Sequence, residues 1–404
     1  MKITALETVQ LEEFPNLIWL HVHTDEGLVG LGESFFCTGP TAAYLHETAA
    51  PLLLGEDPLH IDRHSHTLRN MYVGFASSGA EMRGLSAVGI ALWDILGQVT
   101  GQPVHQLLGG LSRERIRTYN TCAGYRYVRK ESGQMTENWG LDAQAAPGPY
   151  EDLDGFLHRA DELAESLLAQ GITGMKIWPF DPYAEASNGT YISGPELDRA
   201  LEPFRKIRRA VGNKMDIMVE FHSLWNLPTA KRIMAALEEF DPYWFEDPVK
   251  MNNSDALADL AASTRVPITA SETLATRFAY REFLARGAIG IAMPDLSWVG
   301  GLSEGKKVAT MAEAHHVPVA PHDCTGPVVF AASVHLSLNA PNAMVQESVR
   351  AFYTGWYKEL VTDLPRIEEG YIYPMTGPGL GTRLLPDLIE RADATVRRTT
   401  IGDL

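Results

Sequence analysis

Apolar and polar positions alternate from Asn16 to His23 and again from Leu28 to Gly32, with Asp25-Glu26-Gly27 between them, a pattern that predicts a β-hairpin. Three stretches follow in which apolar residues recur every three or four positions: Ala43 to Leu54, Asp57 to Met71 and Ser86 to Gly97. These predict amphipathic helices, the last ending near Gly109-Gly110. From about residue 116 the texture changes to short apolar runs, each followed by a polar loop and a helical pattern. Eight runs stand out: Ile116 to Cys122, Gly174 to Trp178, Asp216 to Phe221, Tyr243 to Phe245, Ile268 to Ser271, Ile289 to Met293, Pro318 to Pro321 and Ala343 to Gln346. After the second, their ends recur about every 25 residues, the length of one βα unit, and repeated βα units require a parallel sheet with right-handed crossovers. Eight such units predict a (β/α)₈-type barrel. The longer gap after the first strand, Tyr125 to Asp154, is rich in Gly, Pro and polar residues and reads as a loop inserted over the barrel mouth. The tail from Arg366, with Pro374, Gly377, Pro378 and Gly379, is turn-rich and is expected to pack back on the first module.

With 404 residues, 45% of them hydrophobic and 21% charged, the chain supports two to three domains and a core that needs no disulfide or metal staples. A net charge of −17 repels phosphate backbones and anionic lipid, which excludes general nucleic-acid or membrane-surface binding but not a small anion held by a local cation. Cys37, Cys122 and Cys324 form neither a CxxC pair nor a disulfide framework, as expected of a reducing cytoplasm. The opening residues lack the basic and apolar regions of a signal peptide, and no run approaches the ~18 apolar residues of a membrane span. A soluble, cytoplasmic protein is expected.

Side chains at the C-terminal ends of barrel strands converge on one mouth. Here nearly every end is ionisable: Lys176, Glu220 and His222, Glu246 and Asp247, Glu272, Asp295, His322 and Asp323, and Glu347. Glu220, Glu246 and Glu272 recur at equal spacing on consecutive strands. Three adjacent carboxylates repel one another unless a hard cation neutralises them, and all-oxygen ligation with room for water and substrate oxygens suits Mg²⁺. Zinc is disfavoured, since none of these three positions is His or Cys. Asp295 beside His322 fixes the imidazole tautomer and favours a base that keeps the proton it takes. Lys176 offsets developing charge, and Glu347, crowded among acids, is expected to stay protonated and donate a hydrogen bond.

Taken in order, Lys176-Ile177-Trp178, Glu220-Phe221-His222, Phe245-Glu246-Asp247-Pro248, Ser271-Glu272, Asp295, His322, Glu347 and Pro378-Gly379-Leu380-Gly381 resemble the enolase superfamily, specifically its mandelate racemase subgroup. Ala91-Leu92-Trp93-Asp94 and Leu107-Leu108-Gly109-Gly110 resemble the end of that family's capping domain. The resemblance implies an α/β fold: a modified TIM barrel, (β/α)₇β, over residues 116–365, an N-terminal α+β capping domain over 1–115, and a C-terminal segment, 366–404, returning to the cap. It also implies enediolate chemistry with Mg²⁺ on Glu220, Glu246 and Glu272, and a homo-oligomer. Two departures narrow the activity. Where the racemase carries a second lysine as a base, this chain has Trp178, which disfavours racemisation. His222, two residues past the first ligand, resembles the arrangement in sugar-acid dehydratases such as galactonate dehydratase, where it helps the leaving hydroxyl depart. Glu220 itself stands where the family usually has Asp. The implied reaction is dehydration of an aldonate or aldarate to a 2-keto-3-deoxy acid: His322, oriented by Asp295, removes the α-proton, Lys176 and Glu347 assist at the carboxylate, and His222 protonates the β-hydroxyl. Specificity is expected from Phe35 to Pro40, Tyr72 to Met82 and the loop after the first barrel strand. A cycloisomerase or epimerase of the same superfamily, or a non-catalytic sugar-acid-binding relative, are the alternatives.

Other signals are discounted. His60, His64 and His66 read as a solvated helix face, and His315-His316 as a structural helix end. Gly300 to Lys307 nearly matches a phosphate-binding loop but has Lys307 where a hydroxyl residue is needed, and Gly27 to Gly32 is no dinucleotide fingerprint.

Overall fold

The computed structural model describes residues 1–71, 78–129, 131–133 and 150–404. Most of the predicted loop after the first barrel strand, and residues 72–77 of the Tyr72 to Met82 segment, lie outside these. The chain opens with three antiparallel strands, β1 (Ile3–Leu11), β2 (Leu17–Thr24) and β3 (Val29–Phe35). The hairpin pattern marked β2 and β3. β1 went unread because its burial is not a clean alternation: Ala5-Leu6 and Thr8-Val9 are buried in adjacent pairs. Helix Ala80–Thr100 lies against β3 so closely that a Cβ on Gly30 or Gly32 would fall 2.2 or 2.0 Å from the carbonyl oxygens of Ala91 and Ala87. Those glycines are therefore there for helix-on-sheet packing. His64 departs from expectation: helix Ile61–Arg69 buries it, and its Nε2 lies 2.7 Å from the Asp57 carbonyl oxygen, so it is not on a solvated face. The Gly300 to Lys307 stretch enters a helix, Gly301–Ala314, in which Glu304 is buried against Arg69 and Arg277.

Barrel strands follow: β4 (Ile116–Thr121), β5 (Gly174–Ile177), β6 (Asp216–Glu220), β7 (Trp244–Glu246), β8 (Ile268–Ala270) and β9 (Ile291–Ala292), each parallel to the next. The seventh position is held by single bridges, Val319 pairing with Ala292 on one side and Ala343 on the other. β10 (Gln346–Ser348) then pairs in parallel with β4 and carries the ladder round to its start. Tyr119, Met218, Trp244, Ile291, Met293, Ala320 and Val345 form one buried cluster inside this ring, a packed interior rather than a pore. A short hairpin, β11 (Ile367–Glu368) and β12 (Tyr371–Ile372), caps β4 antiparallel.

Chain ends and cap are tied by contacts remote in sequence. β13 (Ala394–Thr400) pairs antiparallel with β1 along its length. Asp94 accepts N–H groups from Leu31 and Leu380, at 3.0 and 2.8 Å, and the Gln98 amide at 2.8 Å. The Pro378-Gly379-Leu380-Gly381 turn thus docks on the Ala91 to Asp94 motif, and a Cβ on Gly379 (φ +67°) would meet Asp94 Oδ1 at 2.0 Å. Glu33 of β3 is wholly buried. It accepts Trp19 Nε1–H at 2.7 Å and the N–H groups of Val328 and Val329, at 3.2 and 2.9 Å, in the first turn of helix Pro327–Asn339. Glu33→Ala strands three buried donors and is expected to cost at least about 2 kcal/mol of stability, measurable by urea denaturation. An unchanged midpoint would show that water replaces the carboxylate.

Candidate functional site

The strand register places the expected ligands. Glu220 ends β6 directly opposite Glu246 at the end of β7, while Glu272 stands two residues past β8. The three are buried, and one ligand atom from each lies within 4.8 Å of the others. Glu220 Oε1 accepts the backbone N–H groups of Phe221 and His222 at 3.0 and 2.7 Å. The chain turns sharply here: His222, Ser223 and Asp247 all have positive φ, conformations that cost L-residues on the order of 1 kcal/mol each. A Ser223 N–H to Asp247 carbonyl bond of 2.7 Å locks the two strand ends together.

Lys176, at the end of β5, is the cation among these acids. Its Nζ lies 2.5 Å from Glu246, 3.0 Å from Glu347 and 3.4 Å from Glu220. Burial pushes Glu220 up to about 7, and burial together with Glu220 pushes Glu246 well above the carboxylate range. One lysine does not neutralise the cluster. Glu347 corrects an expectation: although burial favours its neutral form, Lys176 and His322 outweigh it and bring the carboxyl below its ordinary value. It also accepts the Thr121 hydroxyl and, at 2.6 Å, the Asp323 N–H, so it serves as an ionised acceptor.

His322 Nδ1 is 2.7 Å from Asp295, and a β-bridge pairs the two residues. Ser297 fixes the other Asp295 oxygen through its backbone N–H, at 2.6 Å, and its hydroxyl. His322 Nε2 faces Glu272 at 2.8 Å and Glu347 at 4.0 Å. Burial favours the neutral ring, but Glu272, Glu347 and Asp295 prevail and hold the imidazole well above its usual pKa, while Glu272, despite its own burial, is brought down to about 2 by His322. Trp298 stacks on His322 at 5.5 Å, and its indole N–H bonds the Phe35 carbonyl at 2.9 Å, tying the cap to the loop that carries Asp295.

A second imidazole–carboxylate pair stands across the mouth. His222 Nδ1 lies 2.5 Å from the fully buried Asp181, and Trp178 packs edge-on against the ring. Asp181 was not among the expected site residues; its only signal in the sequence was an acid five residues past Lys176, which here opens the helix Asp181–Ser187. Burial opposes charge on both groups, yet Asp181 holds the His222 imidazole above its ordinary pKa. Since β6 is third and the Val319 segment seventh in a ring of eight, His222 and His322 approach from opposite sides. Phe36 from the cap, Tyr127, Trp178 and Trp298 close over the cluster, and the void left, about 20 Å³, admits about one water, so a larger ligand requires these side chains to shift. A larger cavity, about 760 Å³, lies apart from this chemistry, between the Arg69 end of its helix and the loops after β7 and β8.

Residues 159–388 match the enolase C-terminal domain-like family, and residues 3–109 match the N-terminal domain of mandelate racemase / muconate lactonizing enzyme. The chain belongs to the mandelate racemase subgroup of the enolase superfamily. Within this subgroup it is similar, at 52% identity, TM-score 0.89 and 100% coverage of both chains, to a crystal structure of an enolase from Agrobacterium tumefaciens. It is 34% identical to a D-galactonate dehydratase of Verminephrobacter eiseniae, over 96% of this chain and 94% of that protein. It is 30% identical to a D-xylonate dehydratase of Haloferax volcanii, over 96% and 88%. The fold class read from the sequence, a capping module on a (β/α)₇β barrel, is that of the family. Among the described residues, no helix is long and apolar enough to cross a membrane.

Proposed function

We propose that this chain dehydrates a sugar acid, aldonate or aldarate, to a 2-keto-3-deoxy acid, with Mg²⁺ held by Glu220, Glu246 and Glu272. The observation that carries this reading is the pair of carboxylate-oriented histidines on opposite sides of one carboxylate cluster. The donor set suits a hard divalent ion: three buried carboxylates with a single lysine among them. When bound, Mg²⁺ supplies positive charge at the substrate carboxylate and takes up the charge of Glu272 that otherwise faces His322.

His322, its tautomer set by Asp295, takes the α-proton at Nε2. Lys176 bears on the carboxylate oxygens as their charge grows, and ionised Glu347 holds the lysine in place. His222, gripped through Nδ1 by Asp181, delivers a proton from Nε2 to the β-hydroxyl, which departs as water; the enol left behind tautomerises to the keto acid. Trp178 stands where the racemase carries its second basic lysine, which disfavours return of the proton to give the epimer. The named dehydratase relatives support this reading over cycloisomerisation.

The direct test incubates purified protein and Mg²⁺ with a library of aldonic and aldaric acids and traps 2-keto acids with semicarbazide. A product made by the wild type supports the proposal; silence across the library, with metal bound, sinks it. His222→Asn separates the two proton transfers. Dehydration is expected to fall by roughly 10²–10⁴-fold while exchange of the substrate α-proton in D₂O persists. Asp181→Asn, which keeps the side-chain size but loses the charge, is expected to lower kcat by about tenfold or more with KM little changed. Equal loss of exchange and dehydration in His222→Asn would point instead to a shared role for both histidines at the α-carbon.

A further inference from the structure

Away from the barrel mouth, the cap sheet carries a second group of metal-type side chains. β2 sets His21 and His23 on one face, two positions apart. Glu7 of β1 pairs directly with His21, and Arg398 of β13 pairs with Glu7 from the other side. Further along the same face, Val9 and Trp19 are buried core, whereas Glu7, His21 and His23 are partly buried at the edge of that core. Glu7 Oε1 lies 3.2 Å from His21 Nδ1 and 3.5 Å from His23 Nε2, and the two rings stand 6.0 Å apart at 76°.

Only the first of these separations, His21 to Glu7, is a hydrogen bond. His23 Nε2 is shielded from solvent and has no hydrogen-bond partner, and 3.5 Å is too long for one. Both separations fit the edges of a coordination tetrahedron: zinc–ligand bonds of roughly 2.0–2.2 Å place neighbouring ligand atoms about 3.3–3.6 Å apart. One atom from each of the three side chains lies within 4.8 Å of the others, so a single ion reaches all three after small side-chain rotations. Arg398 contacts the other Glu7 oxygen at 3.5 Å and turns Oε1 towards the histidines, as outer partners of a ligating carboxylate do.

We propose that Glu7, His21 and His23 form a three-ligand site on the cap for a borderline-soft divalent ion, Zn²⁺ being the probe, with a fourth position open to water. Two imidazoles and one carboxylate favour zinc over Mg²⁺, so the site is chemically distinct from the all-carboxylate cluster at the mouth. Because it joins neighbouring strands β1 and β2, the bound ion stabilises the cap sheet.

Calorimetric titration of the Mg²⁺-loaded wild type with Zn²⁺ is compared with His21→Ala/His23→Ala and with the milder His23→Gln. The wild type is expected to take up one zinc equivalent more than the double variant, and His23→Gln to weaken that equivalent by at least about 100-fold. Co²⁺ in place of zinc should give the visible absorption of a tetrahedral site in the wild type and not in either variant, and the Mg²⁺-supported activity of all three should agree. Equal zinc stoichiometry in the wild type and His23→Gln, or cobalt spectra that do not differ, overturns the proposal even if the double variant fails to fold.

Discussion

His322→Asn is expected to lower kcat by roughly 10²–10⁴-fold and to abolish α-proton exchange in D₂O together with product formation. The reason is positional. His322 Nε2 faces the carboxylate cluster, Nδ1 is held by Asp295, and Trp298 fixes the ring plane. Asparagine keeps a hydrogen-bonding group beside Asp295 but cannot hold a proton taken from carbon. Mg²⁺ affinity should survive, because the three glutamates are untouched; losing a side chain that contacts Glu272 at 2.8 Å should alter it only modestly. Exchange and turnover are read by NMR and by keto-acid trapping. Retained exchange in this variant would assign the base elsewhere, and the contrast with His222→Asn, which keeps exchange, is what distinguishes elimination from epimerisation.

Exhaustive chelation is expected to remove all activity and returned Mg²⁺ to restore it, with a matching change in stability. Glu220, Glu246 and Glu272 are buried together with Lys176 reaching the first two, and the price of that crowding is visible in the raised pKa values of Glu220 and Glu246. An ion that binds only the folded chain stabilises it by about 2.7 kcal/mol at 100 times its Kd. Thermal unfolding at increasing Mg²⁺ should therefore rise continuously, and Glu246→Gln should flatten the dependence by removing a ligand. Full activity in protein shown by elemental analysis to hold no divalent ion would rule out the metal reading. A stability gain that survives in Glu246→Gln would place the responsible ion elsewhere, and the cap histidines are then the first residues to examine.

Much of the candidate site was legible because a barrel converts linear order into spatial convergence. Equal spacing of Glu220, Glu246 and Glu272 needs only the repeat length of a βα unit to bring them together, and Lys176, Asp295, His322 and Glu347 follow from the same rule. The residues that escaped do not obey it. Asp181 opens the helix Asp181–Ser187 beyond β5, and only the turn into that helix returns its carboxylate to His222. Glu347 was expected to be protonated from the count of surrounding acids. Its ionisation instead depends on Lys176, Thr121 and the Asp323 N–H, whose distances no spacing rule supplies.

By itself the amino-acid sequence determined the periodicities: strand–helix alternation, the barrel they imply, and an ionisable residue at nearly every strand end. It determined these because each depends on residues a few positions, or one repeat, apart. Tertiary structure alone decided the rest: β13 pairing with β1 from the far end of the chain, Asp94 receiving the Leu380 turn, Glu33 capping a barrel helix, and Arg398 meeting Glu7 beside His21 and His23. Those contacts join segments with no common period, so they form only when packing has already brought the two ends of the chain to the same sheet.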